Sequence, residues 1–133
     1  MNTTTGVIVV DHGSRREASN QMLLDAVNCW RDQAMFGIVE PAHMELAQPD
    51  IATAFARCVQ QGAARIVVFP YFLSPGRHST TDIPDLVAEA ARAHPGIVWS
   101  VAQPFGLHPA LLQAMTDRIM DCDFTVGPPT AGS

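Results

Sequence analysis

Gly6-Val-Ile-Val-Val-Asp-His-Gly-Ser14 is the stretch from which the fold is read. Residues 6–10 form a short, apolar, β-branched run, and Asp11-His12-Gly13-Ser14 stops it, so the segment is a buried strand running into a loop. From Glu17 to Ala34, residues Leu23, Ala26, Val27, Trp30 and Ala34 recur at helical intervals, which predicts a helix packed back on that strand and ended by Gly37. Ile38 to Met44 read as a second strand. Pro41 removes a ladder hydrogen bond there and demotes the strand to an edge or bulged position.

The same alternation continues to the C-terminus. Gln48-Pro49-Asp50 opens a second helix that ends at Gly62, with proline and aspartate where a helix N-terminus favours them. Arg65 to Pro70 form a third strand, and a loop from Tyr71 to Thr81 is closed by Asp82 as N-cap and Pro84 in the first turn of a third helix. That helix carries Ile83, Leu86, Val87, Ala90 and Ala91 and stops at Pro95-Gly96. Ile97 to Ala102 give the fourth strand, and the chain then enters a last helix through about Asp121. Strands alternating with helices mean βαβ units. The expected fold is therefore a single α/β domain over residues 1–124 with a mostly parallel four-stranded sheet flanked by helices, followed by a disordered tail over 125–133.

Composition narrows the chemistry. The chain has 133 residues, 47% apolar and 16% charged, which suits one globular domain, and no run of apolar residues is long enough for a membrane span. All eight basic residues are arginine. Without lysine there is no Schiff-base enzyme and no Walker phosphate loop, so no nucleotide is expected. A net charge of −5 with no basic stripe argues against nucleic acid. The N-terminus lacks the pattern of a secretory signal, which points to the cytosol, or to the plastid stroma if this is a mature plastid protein. Cys29, Cys58 and Cys122 are too far apart for a zinc or iron–sulfur cluster and are taken as structural, Cys58 on the buried stripe of the second helix.

Ligands of such folds bind at the carboxyl edge of the strands. Three of the five histidines, His12, His78 and His108, fall in the loops there. His12 has Gly13 and Ser14 beside it, which leaves a ligand access to backbone and ring; the alternative is a turn histidine that merely bonds the backbone. His78 follows Pro75-Gly76-Arg77, a turn presenting Arg77 with the imidazole, and alone reads equally as a surface loop. Together two neutral imidazoles suit a divalent transition metal held in an open site. Glu45 is a candidate third ligand or proton acceptor, with a solvated loop carboxylate as the alternative. His43 lies two residues from Glu45 along a strand, sharing its face, and is either a support for the site or a packing residue. His108 is a candidate pocket wall. His94, near a helix end, is assigned no function.

Other chemistries fail on the letters. Asp11 precedes the His-Gly pair where a phosphohistidine phosphatase would want arginine, and neither a Gly-x-Ser-x-Gly elbow nor a Gly-x-Gly-x-x-Gly fingerprint is present.

Val10-Asp-His-Gly-Ser-Arg-Arg16, Glu40-Pro-Ala-His-Met-Glu-Leu-Ala-Gln-Pro49, Cys58-Val-Gln-Gln-Gly-Ala63, and Phe72-Leu-Ser-Pro-Gly-Arg-His78 with Asp82-Ile-Pro84 resemble the small sirohydrochlorin chelatases, class II chelatases, over nearly all of the chain. The likeness is greatest to plant-type single-domain ferrochelatases. It implies Fe(II) insertion into a tetrapyrrole, with cobalt or nickel chelation, or non-catalytic carriage of metal or tetrapyrrole, as the alternatives. It implies His12 and His78 as metal ligands and a homodimer as the assembly. Ser14, Arg15, Arg16, Gly76, Arg77 and the backbone N–H groups of the Gly13-Ser14 and Pro75-Gly76 turns are candidates to meet the carboxylates of the macrocycle. Phe36, Phe72, Leu73 and Phe105 are candidates to line the cleft or the subunit contact. Ser79 stands where plant-type relatives tend to have tryptophan, and the cysteine-rich extension of those relatives is missing, so no iron–sulfur cluster is expected.

Overall fold

A computed structural model describes residues 2–74, 76 and 81–124. The elements run β1 (Asn2–Asp11), α1 (Glu17–Arg31), β2 (Phe36–His43), α2 (Ile51–Gln60), β3 (Arg65–Pro70), α3 (Ile83–Ala91), β4 (Val98–Val101) and α4 (Pro109–Met120). The four strands form one sheet of order β2-β1-β3-β4, and every pairing is parallel. The expected order of elements is borne out. Several boundaries moved: β1 starts earlier, α1 ends at Arg31, β2 ends at His43 and holds Gly37 within it rather than between elements, and β4 is shorter at both ends. Pro41 sits opposite Val9 on the edge strand β2, the position that its missing N–H allows.

Alternation along the strands divides the core between the two faces of the sheet. Ile8 and Val10 of β1, with Ile66 and Val68 of β3, face α2 and α3 and pack with Phe55, Cys58, Ile83 and Val87. Val7 and Val9 point the other way, to α1, and pack with Leu23, Val27 and Val39. Gly6 lies beneath α2, where a Cβ would come within 3.1 Å of Cys58 and Ala63.

Two helix starts differ in chemistry. Asp50 caps α2 as expected for its residue type, its carboxylate accepting from Thr53 N–H at 2.9 Å. Hydrogen bonding from the Thr53 side chain, and then from its backbone N–H, holds the Asp50 carboxyl below its usual value of 3.8. Asp82 does not act as the expected cap: its backbone is already helical, so its side chain makes no capping bond to α3. The residues expected to form the tail, 125–133, lie outside the described residues. No described helix is long and apolar enough to cross a membrane.

Candidate metal-handling site

In a sheet of order β2-β1-β3-β4 the chain leaves β1 toward one edge and β3 toward the other, so the crevice for a ligand opens above the carboxyl ends of β1 and β3. His12 comes directly off β1 and Phe72 comes shortly after β3. Their rings meet across that crevice, stacked at 4.3 Å with an interplanar angle of 28°. His12 is exposed and Phe72 half-buried, so the phenyl ring forms a floor under an imidazole open to solvent.

The loop that carries His12 is bound on both sides. Met44 N–H donates to the Asp11 carbonyl at 2.9 Å and Glu45 N–H to the His12 carbonyl at 3.2 Å, extending the β1–β2 pairing past the strand ends. Gly13 has φ of 86°, and a Cβ there would collide with the Glu45 carbonyl oxygen. Only glycine fits that turn. Leu46, with φ of 71°, is the non-glycine residue held in the left-handed region beside Glu45, a conformation that costs about 1–3 kcal/mol and is typical of loops shaped for a site.

The structure revises several expectations. The N–H groups of Gly13 and Ser14 are committed internally, the first to Asp11 Oδ1 at 3.0 Å and the second to Asn20 Oδ1 at 2.9 Å. They are not available to a ligand. Asn20 also donates to the Ser14 carbonyl at 2.8 Å, and Ser14 Oγ accepts from Arg16 N–H at 3.0 Å. Arg15 and Arg16 are exposed on the same loop. Glu45 is exposed too, beyond the end of β2, so it shares no strand face with His43, which is fully buried. Glu45, Asp82 and Asp85 line a hollow of about 320 Å³ with Met44 and Leu86. Among the described residues, no three His, Cys, Asp or Glu side chains converge as metal ligands. Arg77 and His78 lie outside the described residues, and Gly76 is exposed beside them.

His108 has a local task, its Nδ1 accepting from Ala110 N–H at 3.0 Å as the cap of α4. His94 stacks on the buried Phe55 at 5.5 Å, a packing contact that its position in the sequence does not reveal. Cys58 is buried, and burial together with the nearby Glu40 charge pushes its thiol up to about 12. Cys29 and Cys122 are exposed rather than structural. Asn20, Phe72 and the pair formed by the half-buried Asp11 and the buried His43 are the parts of the site that sequence reasoning missed or left open.

Residues 6–122 match the CbiX family. The chain belongs to that family. It is 54% identical over 117 residues to the chloroplastic sirohydrochlorin ferrochelatase of Arabidopsis thaliana, covering 88% of this chain and 52% of the relative. The sirohydrochlorin cobaltochelatase of Methanocaldococcus jannaschii is 40% identical over 81 residues, covering 61% of this chain and 57% of the relative. Among solved structures, SirB from Bacillus subtilis with Fe3+ superposes with a TM-score of 0.84 at 28% identity, covering 92% of this chain and 49% of the other. The chain thus spans about half the length of these relatives.

Proposed function

We propose that this CbiX-family chain is a sirohydrochlorin ferrochelatase. The observation that carries the reading is the exposed His12 imidazole, stacked on Phe72 at the switch point of the sheet. The similarity to the Arabidopsis ferrochelatase supports iron as the metal, and the similarity to the cobaltochelatase supports cobalt as the second reading. Fe(II) is substrate here, held by His12 and His78, with Glu45 as a third oxygen donor at the rim.

Insertion replaces two pyrrolic N–H protons of the macrocycle by one divalent ion, so two protons leave as the metal enters. A neutral imidazole both binds the ion and, once the ion has moved on, accepts one of the two protons, while the other passes to solvent at this exposed edge. An open site suits this passage, because a closed shell of ligands would retain the metal. Arg15, Arg16 and Arg77 supply cations for the peripheral carboxylates, with Ser14, Gly76 and His108 at the same edge. The setting is the cytosol, or the stroma in a plastid.

The assembly we propose is a homodimer. One face of the sheet carries an apolar groove of about 510 Å³, lined among others by Val67, Phe69, Trp30, Phe36 and Phe105. The same chain carries a helix, α4, with no buried residue and with Leu112, Met115 and Ile119 along one side. A second copy about a two-fold axis covers both surfaces.

The test is an anaerobic absorbance assay of sirohydrochlorin with Fe(II), Co(II) or Ni(II). Several turnovers per subunit, lost in His12→Ala and in His78→Ala, support the reading. Stoichiometric binding without turnover points to a carrier instead. Light scattering of the active species reads the assembly, and an active monomer overturns the dimer.

A further inference from the structure

The pair formed by the half-buried Asp11 and the fully buried His43 has no part in the reading above, and its geometry calls for one. His43 ends β2 and is fully buried, with Nδ1 lying 2.6 Å from Asp11 Oδ1. The same oxygen accepts from Gly13 N–H at 3.0 Å. An oxygen that accepts from both requires a proton on Nδ1, which leaves Nε2 to find a partner of its own. That atom is buried and finds no hydrogen-bond partner among the described residues. An unsatisfied buried polar atom costs about 1–3 kcal/mol, which an aliphatic or phenyl side chain at the same core position would avoid. The imidazole therefore comes at a cost to stability, and among the described residues its one side-chain hydrogen bond is to Asp11.

We propose that Asp11–His43 is the positioning couple of the metal site. His43 Nδ1 fixes the Asp11 carboxylate, and the carboxylate holds Gly13 N–H, so the turn is set one residue before and one residue after His12. The bonds from Met44 N–H and Glu45 N–H then tie that turn to the loop carrying Glu45. Neither Asp11 nor His43 touches the metal. Their effect is to confine the His12 ring to its place on Phe72 and to keep His12 and Glu45 in one fixed relation.

The inference rests on His12 as a metal ligand, and the readouts separate the two claims. The first is the His12 imidazole resonance in metal-free protein, the second is Co(II) titration of the protein alone, and the third is the split of kcat from KM in the chelation assay. His43→Leu and Asp11→Ala should each shift and broaden the His12 resonance, weaken Co(II) binding by about tenfold or more, and lower kcat with little change in KM for the macrocycle. Because the two residues act as one unit, the double variant should lose no more than either single one. Asp11→Asn, whose amide oxygen can accept both bonds, should recover most of what Asp11→Ala loses, and His43→Asn offers an amide N–H near the Nδ1 position if His43→Leu fails to fold. His94→Ala is the packing control: it lowers stability and leaves the His12 resonance and kcat unchanged. An unaltered His12 resonance in folded His43→Leu or His43→Asn, or additive losses in the double variant, overturns the proposal. If the wild type neither binds Co(II) nor turns over, the chelatase reading falls, and the resonance still decides whether the couple positions His12.

Discussion

The two faces of the sheet differ in how far they are finished. On the face toward α2 and α3, the inward residues of β1 and β3 are almost wholly buried, and Phe55, Ile83 and Val87 of the covering helices completely. On the opposite face α1 covers β1 and β2, while β3 and β4 are left open: Val67 and Phe69 are only half-buried and Val98 is 69% exposed. The first face is a core, and the burial of its apolar side chains favours the folded chain. The second has the apolar content of a core without the cover, and a patch of that kind on a small protein marks an association surface. The closed core and the open apolar surface thus lie on opposite sides of one sheet, and the edge from which His12 emerges lies between them.

Four measurements test that division, beginning with the largest expected effect. Phe55→Ala removes a fully buried ring from the finished face and should cost about 3–5 kcal/mol in denaturant unfolding. A loss under about 1 kcal/mol would mean that this face is not the core. Asp50→Ala removes the cap of α2 on that same face and should cost about 1 kcal/mol near neutral pH. Because the folded-state pKa of Asp50 lies below its usual 3.8, its contribution is present above that value and fades as pH falls through the lower folded value. The difference between wild type and Asp50→Ala should therefore narrow in strongly acidic buffer, and a constant difference would refute the electrostatic part.

Met115→Asp probes the open side. Since Met115 is 59% exposed in the single chain, unfolding at low protein concentration should change by less than about 0.5 kcal/mol. Light scattering should nevertheless move from dimer to monomer, because the charge would have to enter an apolar contact. A dimer of unchanged stability would place the interface away from α4. The gentlest test needs no substitution: a thiol reagent at mildly alkaline pH should label Cys29 and Cys122 and spare Cys58, whose thiol is buried and pushed up to about 12. Rapid labelling of a third cysteine would show that α2 lifts readily from the sheet.

Much of this architecture is legible in the letters, for a local reason. Apolar runs with period 2 and stripes with period 3.6 report burial directly, so the four strands and four helices could be read in order, and Pro41 by itself sent β2 to the edge. The place of His12 just past the end of β1 is legible too, since an apolar run stopped by Asp-His-Gly-Ser marks a strand end. Where local chemistry competed with geometry, the reading failed. Asp82 has the residue type of a cap but already lies in helical backbone, and the N–H groups beside His12 looked free until Asp11 and Asn20 were found to occupy them.

The sequence by itself determined the alternation of elements, the parallel sheet and the edge at which His12 emerges, because each follows from side-chain periodicity and from the conformational limits of proline and glycine. Only the tertiary structure brought Asp11 to His43 and Phe72 beneath His12. The partners of the first pair are 32 residues apart and meet because parallel strands β1 and β2 pair in a register that sets them opposite each other. The ring stack likewise needs β1 and β3 side by side. Register is a property of strands docked together, fixed by the packing of both faces at once, and no local pattern in either strand encodes it.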